Sequence, residues 1–196
     1  MMEKMTNLIE KFNIPVVRQF EPQSDMKAFL EYVHDLEDLE GFVVRFSDGH
    51  MLKLKCRWYL QIHKAKEAIL QDRNIVELIL EEKLDDIKAH LPAEDRDRLT
   101  RFENDFAHAF NGVVANVLSA FFEIKASGID RKTFALEKAQ EYDGYVRPIL
   151  FRIFDNERAP EDLRDLIANV IRNNLGRTVK YEAIRDAWFP GVTFNA

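Results

Sequence analysis

The sequence predicts an α+β fold, with a small mixed portion built around a β-hairpin followed by a helical portion. Two observations carry this expectation. The β-rich run Gly41-Phe42-Val43-Val44-Arg45-Phe46 and the strictly alternating run Met51-Leu52-Lys53-Leu54-Lys55-Cys56 flank Ser47-Asp48-Gly49-His50. An Asp-Gly turn between two such runs is a strong hairpin signal. After Tyr59 apolar residues recur at helical spacing and continue to do so along the chain.

Upstream of the hairpin, Thr6 to Phe12 is a short helix candidate, and the proline in Ile14-Pro15-Val16-Val17 favours extended backbone. Ser24 stands where it would cap a helix running through Met26, Phe29, Leu30 and Val33 to about Leu39. Downstream, the spacing predicts helices over 60–72, 74–90, 93–125, 130–142, 145–154, 160–175 and 179–188. The third is the clearest, because Phe102, Phe106, Phe110, Val113, Val117 and Phe121 share one face. Leu163, Leu166, Ile167, Val170 and Ile171 form a second such face, ended by Gly176 in a C′-like position. Pro92 and Pro160 are each placed to open a helix. There is no internal repeat and no low-complexity linker. The change from strand to helix pattern divides the chain into 1–62 and 63–196.

Composition narrows the function classes. The chain has 196 residues, 46% hydrophobic and 32% charged, the balance of a soluble protein with a core of its own. No uninterrupted apolar run approaches the roughly 20 residues of a membrane helix. The start, Met1-Met2-Glu3-Lys4-Met5, lacks the apolar core of a secretory signal. With Cys56 as the single cysteine, this points to a cytoplasmic protein without a membrane partner. The five histidines show no metal-ligand spacing. A net charge of −6 argues against a surface that grips nucleic acid everywhere. The charge is segregated, however. Arg45, Lys53, Lys55, Arg57, Lys64 and Lys66 face only Asp48 between residues 42 and 66, whereas Glu77, Glu81, Glu82, Asp85 and Asp86 surround Lys83. A local basic site on an acidic protein suits a phosphate ligand bound at one place, and the acidic run reads as a solvated helix face.

The alternation in the hairpin puts Lys53 and Lys55 on one face and Leu52 and Leu54 on the other. Two ammonium groups about 7 Å apart along a strand can bracket a phosphate. A carboxylate at the start of the partner strand, Glu40, would accept from a ribose hydroxyl or hold one lysine in place. The plainer alternative is a solvated hairpin with charges on its outer face. Trp58 and Tyr59 read as packing at the hairpin–helix junction or as base-stacking platforms. Cys56, flanked by Lys55 and Arg57, reads as an activated thiol or as inert packing. Asp130 would cap the helix that follows, leaving Arg131 and Lys132 either on the surface of that helix start or in contact with RNA phosphates.

Glu40-Gly41-Phe42-Val43-Val44, the Asp-Gly turn, and Lys53-Leu54-Lys55-Cys56-Arg57-Trp58-Tyr59 together resemble nucleotidyltransferase motifs IV and V of the phage-type, ATP-dependent RNA ligase 1 family. A second segment, Gly128-Ile129-Asp130-Arg131-Lys132-Thr133-Phe134-Ala135-Leu136-Glu137, resembles the GxDRKTxAxE stretch of that family's helical C-terminal domain. The resemblance implies the end of an adenylation domain over 1–62 and a helical specificity domain over 63–196. It also implies ATP and Mg2+ as cofactors of the complete enzyme, RNA such as cleaved tRNA as partner, and tRNA repair as the setting. By the same resemblance Lys53 and Lys55 are catalytic, contacting the α-phosphate, and Glu40 touches the ribose or helps place a metal. Phe42 lies along the base pocket, and Arg131 and Lys132 are candidate RNA contacts.

One departure shapes the expectation. The family's chemistry begins at a Lys-x-Asp-Gly motif, and no Asp-Gly pair in this chain carries a lysine two residues before it. The half bearing motifs I, III and IIIa is expected ahead of residue 1 or on a separate chain. Two readings stand: part of an RNA ligase that cannot adenylylate itself alone, or a non-catalytic helical module that docks on RNA or protein.

Overall fold

The computed structural model describes residues 11–12, 17–157 and 159–194, and the chain forms two compact units, Met1–Tyr59 and Leu60–Ala196. The helix expected over 6–12 and the extended stretch at 14–17 lie outside the described residues, apart from helical Lys11-Phe12 and from Val17.

In the first unit, α1 spans Met26–His34. Its cap is Asp25 rather than Ser24: the Asp25 carboxylate accepts from the Ala28 backbone N–H at 3.0 Å, as an N-cap does. The helix also stops short of Leu39, since the chain turns at Asp35 and Asp38 takes a left-handed φ of 58°. Strands β1 (Gly41–Arg45) and β2 (Met51–Lys55) pair antiparallel, with Gly41 opposite Lys55, Val43 opposite Lys53 and Arg45 opposite Met51. The reversal has the geometry of a three-residue hairpin loop. Gly49 N–H donates to Phe46 C=O, Phe46 N–H donates to His50 C=O, and Gly49 supplies the positive φ of 91°. Phe42 meets Phe20 and Phe29 edge-on at centroid distances of 5.1 and 5.6 Å, so this face of the hairpin lies toward α1.

Helix α2 (Arg57–Ala68) leads into the second unit, whose described residues form helices joined by turns and loops, with no strand among them. There α3 spans Asp72–Leu80 and α4 Leu84–Lys88. The single helix expected over 74–90 is therefore two. The break is a Schellman motif, with Lys83 N–H bonded to Leu78 C=O, Glu82 N–H to Ile79 C=O, and Glu82 itself left-handed at φ 57°. A glutamate at the position glycine usually fills leaves no trace in the sequence pattern. Helix α5 (Ala93–Ser127) begins after Pro92 and ends at Gly128, whose φ of 64° makes it the left-handed stop. Next comes α6 (Arg131–Thr133), continued by a π-helical turn (Phe134–Lys138) and a 3-10 turn (Ala139–Glu141). The last three helices are α7 (Val146–Ile153), α8 (Leu163–Leu175) and α9 (Thr178–Trp188). Pro160 opens a turn ahead of α8 rather than the helix itself, and Gly176 closes α8 at an ordinary helical φ of −70°.

The second unit's core gathers on α5, which buries Leu99, Phe102, Phe106, Phe110, Val113, Val117, Ala120, Phe121 and Ile124. Burying each large side chain contributes about 1.5–3 kcal/mol, so this stripe organises the unit. Leu166, Ile167 and Ile171 of α8 and Ile184 and Trp188 of α9 join the same cluster. Phe134, fully buried, meets Phe151 edge-on at 4.8 Å and stacks with Phe154 at 5.2 Å. Among the described helices α5 alone is long and apolar enough to cross a membrane, and its nine buried side chains match the core helix of a helical bundle equally well.

Candidate phosphate-binding face of the hairpin

Register decides which side chains meet. Residues 41, 43 and 45 of β1 and 51, 53 and 55 of β2 share the face turned away from Phe29, because paired residues project to the same side. Lys53 and Lys55 stand on it, as does Arg45 at the far end. Glu40, just ahead of β1, completes the group. Lys53 Nζ lies 2.6 Å from Glu40 Oε1 and Lys55 Nζ 3.7 Å from the same oxygen. Lys55 also rests over the Tyr59 ring at 4.7 Å, which brings the phenol into the electrostatic surroundings of Glu40.

The electrostatics follow from these contacts. The hydrogen bond from Lys53 is the main reason the Glu40 carboxyl titrates below its ordinary range, and it raises the Lys53 ammonium in turn. Tyr59 is pushed up, first by partial desolvation and then by the Glu40 charge. All three lysine-face ion-pair partners are substantially open to solvent, with side-chain exposures of 58% for Lys53, 45% for Glu40 and 37% for Lys55. A ligand can reach them without any rearrangement of the backbone.

That backbone is tightly placed. Cys56 N–H donates to Glu40 C=O at 3.0 Å, and the Cys56 thiol donates to Leu39 C=O. Cys56 is fully buried, a packing residue that pins the strand mouth. Gly41, at φ 146°, allows β1 to approach β2 so closely that a Cβ would sit 2.0 Å from the Leu54 carbonyl oxygen. Only glycine adopts that conformation without strain.

The other expected site residues lie elsewhere. Phe42 occupies the opposite face of the hairpin, paired with Leu54 and packed between Phe20 and Phe29, away from the lysines. Leu54 there is partly buried, while Leu52 is 53% exposed. Arg131 and Lys132 belong to the second unit. Arg131 pairs with Asp155, donates to Phe151 C=O at 3.3 Å and lies over the Phe154 ring, so its guanidinium is already engaged. Lys132 is exposed. Asp130 caps this turn through Thr133 N–H at 2.7 Å, and that bond holds its carboxyl below the usual range.

The sequence marks Tyr59 for junction packing or base stacking and does not display its link to Lys55 and Glu40. The cue it offers is the position four residues after Lys55, where the strand turns into α2. In the sequence Arg45 is one cation of a basic segment, and the pairing register is what puts it on the lysine face. Among the described residues no three His, Cys, Asp or Glu side chains gather as a metal site. No family model matches the chain.

Proposed function

We propose that this chain is part of an ATP-dependent RNA ligase that seals 5′-phosphate and 3′-hydroxyl RNA ends, with cleaved tRNA as the substrate class. The observation that carries the reading is the convergence of Glu40, Lys53, Lys55 and Tyr59 on one open face of the hairpin. In such an enzyme a lysine nitrogen attacks the α-phosphorus of ATP and pyrophosphate leaves. AMP then passes to the RNA 5′-phosphate, and the RNA 3′-hydroxyl displaces AMP. Lys53 and Lys55 would offset the charge that builds on the transferred phosphate, a contribution of preorganised cations. Glu40 would accept from a ribose hydroxyl. As a single carboxylate already paired with Lys53 and Lys55 it is a poor metal site by itself, so magnesium would arrive with the nucleotide's phosphates. The attacking lysine of a Lys-x-Asp-Gly motif would be supplied from outside these 196 residues. Arg131 and Lys132 would contribute to RNA binding, Lys132 more directly because its ammonium is exposed.

The absence of Lys-x-Asp-Gly also favours a second reading, a helical module that docks on RNA or protein without catalysis. One experiment separates the two. Incubated alone with α-labelled ATP and magnesium, the chain is expected to remain unlabelled. Mixed or fused with a segment bearing the Lys-x-Asp-Gly half, it should support labelling of that half and ligation of a nicked anticodon stem-loop. Ligation should be lost in Lys53→Ala and Lys55→Ala. Full ligation by both variants, or covalent labelling of Lys53 or Lys55 themselves, would sink the ligase reading as stated.

A further inference from the structure

We infer that Glu40 is a built-in competitor for the lysine pair, so that the hairpin face selects oligophosphates over single phosphate ions. The inference rests on the phosphate-binding reading above and adds a selectivity to it. In the free protein one carboxylate oxygen already sits 2.6 Å from Lys53 Nζ and 3.7 Å from Lys55 Nζ. The Tyr59 ring lies under Lys55 Nζ at 4.7 Å on the same face. Glu40 cannot drift off, because Cys56 N–H fastens its carbonyl and Gly41 pairs directly with Lys55. It can leave only by rotating its side chain, and its 45% exposure makes that rotation easy.

An incoming anion must therefore outbid a carboxylate of matched geometry. Orthophosphate brings about as much charge as it displaces and gains little. A chain of three phosphates spreads several charges along the strand, reaching both lysines and Arg45 on the same face while the Glu40 side chain rotates off the lysine pair, free to meet a ribose hydroxyl when the ligand carries one. Exposed charges a few ångströms apart interact by about the amount that separates a few-fold change in affinity at low salt, and less as salt rises.

The test is titration calorimetry on the whole chain at low ionic strength, with tripolyphosphate and orthophosphate as probes. Glu40→Gln and a second carboxylate-free variant, Glu40→Ser, are compared with wild type and with Glu40→Asp. Hydrogen exchange at the Lys55 and Cys56 amides verifies that the hairpin stays paired in each. Removing the carboxylate should tighten tripolyphosphate binding about three- to tenfold and narrow its preference over orthophosphate. Glu40→Asp should stay near wild type. Unchanged or weaker binding by both paired, carboxylate-free variants would overturn the competitor role while leaving the phosphate site standing. Failure of every form to bind tripolyphosphate would overturn both.

Discussion

Gly41→Ala offers a sharp test of how the candidate site is held. The added methyl would lie 2.0 Å from the Leu54 carbonyl oxygen, 2.8 Å from the Lys55 Cα and 2.9 Å from the Leu54 carbonyl carbon. All three are backbone atoms of the paired strand, so no side chain can swing aside to relieve the overlap. The φ of 146° adds a conformational cost of about 1–3 kcal/mol for an L-residue. Forcing extra volume into fixed surroundings adds about 1–3 kcal/mol more. Against this stands a two-stranded sheet, marginal in itself, in a unit whose described buried hydrophobic residues are Val33 and Cys56. The expected outcome is loss of the Gly41–Lys55 pairing and dispersal of Glu40 from the two lysines. Hydrogen exchange is the assay. The Cys56 amide, which bonds to Glu40 C=O, should lose most of its protection in Gly41→Ala, while amides of α5 keep theirs. Wild-type protection at Cys56 in the variant would refute the close-approach argument and the strand geometry behind it.

Other perturbations bear on separate parts of the molecule. Phe134→Ala should cost about 3–5 kcal/mol, read by chemical denaturation, because the ring is fully buried among Phe151 and Phe154. Leu54→Ala should cost only about 1–2 kcal/mol, since Leu54 is partly rather than fully buried, and on the proposed ligase reading should keep ligation when joined to a Lys-x-Asp-Gly half. On the same reading Lys53→Ala and Lys55→Ala should show the opposite pattern, melting near wild type and losing ligation by orders of magnitude. Burial raises the Tyr181 phenol from 10.0 to about 12. An acid whose folded pKa lies above its unfolded value stabilises the fold fully below the lower value and loses that contribution as pH rises through the higher one. Thermal stability should therefore fall between about pH 10 and about pH 12, and Tyr181→Phe should remove this component of the alkaline loss.

The hairpin and the helical stripe of α5 were legible because each depends on local periodicity that one sequence displays. Phe102, Phe106, Phe110, Val113, Val117 and Phe121 all reach the core as their spacing predicts. What escaped depends on backbone conformation or on register. Nothing in Glu81-Glu82-Lys83 announces a Schellman turn, since a left-handed glutamate has no compositional mark. Ser24 and Asp25 are both good caps, and it is Asp25 that takes the extended cap backbone and receives the Ala28 N–H. The 160–175 helix began late because proline serves a preceding turn as readily as a first helical residue. At the site, alternation revealed that Lys53 and Lys55 share a face, but only the pairing of specific residues across the strands brings Arg45 to it. Likewise, the start of α2 directly after β2 is what carries Tyr59 under Lys55.

Within the first unit's described residues the sheet has two strands, so each strand has one outer row of backbone N–H and C=O groups with no ladder partner. Such rows template pairing with other chains, and the exposed Val43, Met51 and Leu52 would make the contact adhesive. Charged side chains along the strands, with Lys53 and Lys55 on β2 and Arg45 on β1, make stacking of one copy against another electrostatically unfavourable. The same cations thus act as gatekeepers of solubility. Replacing both lysines by alanine would remove that guard together with any phosphate contact, and the doubly substituted chain would be expected to self-associate through its strands as its concentration rises.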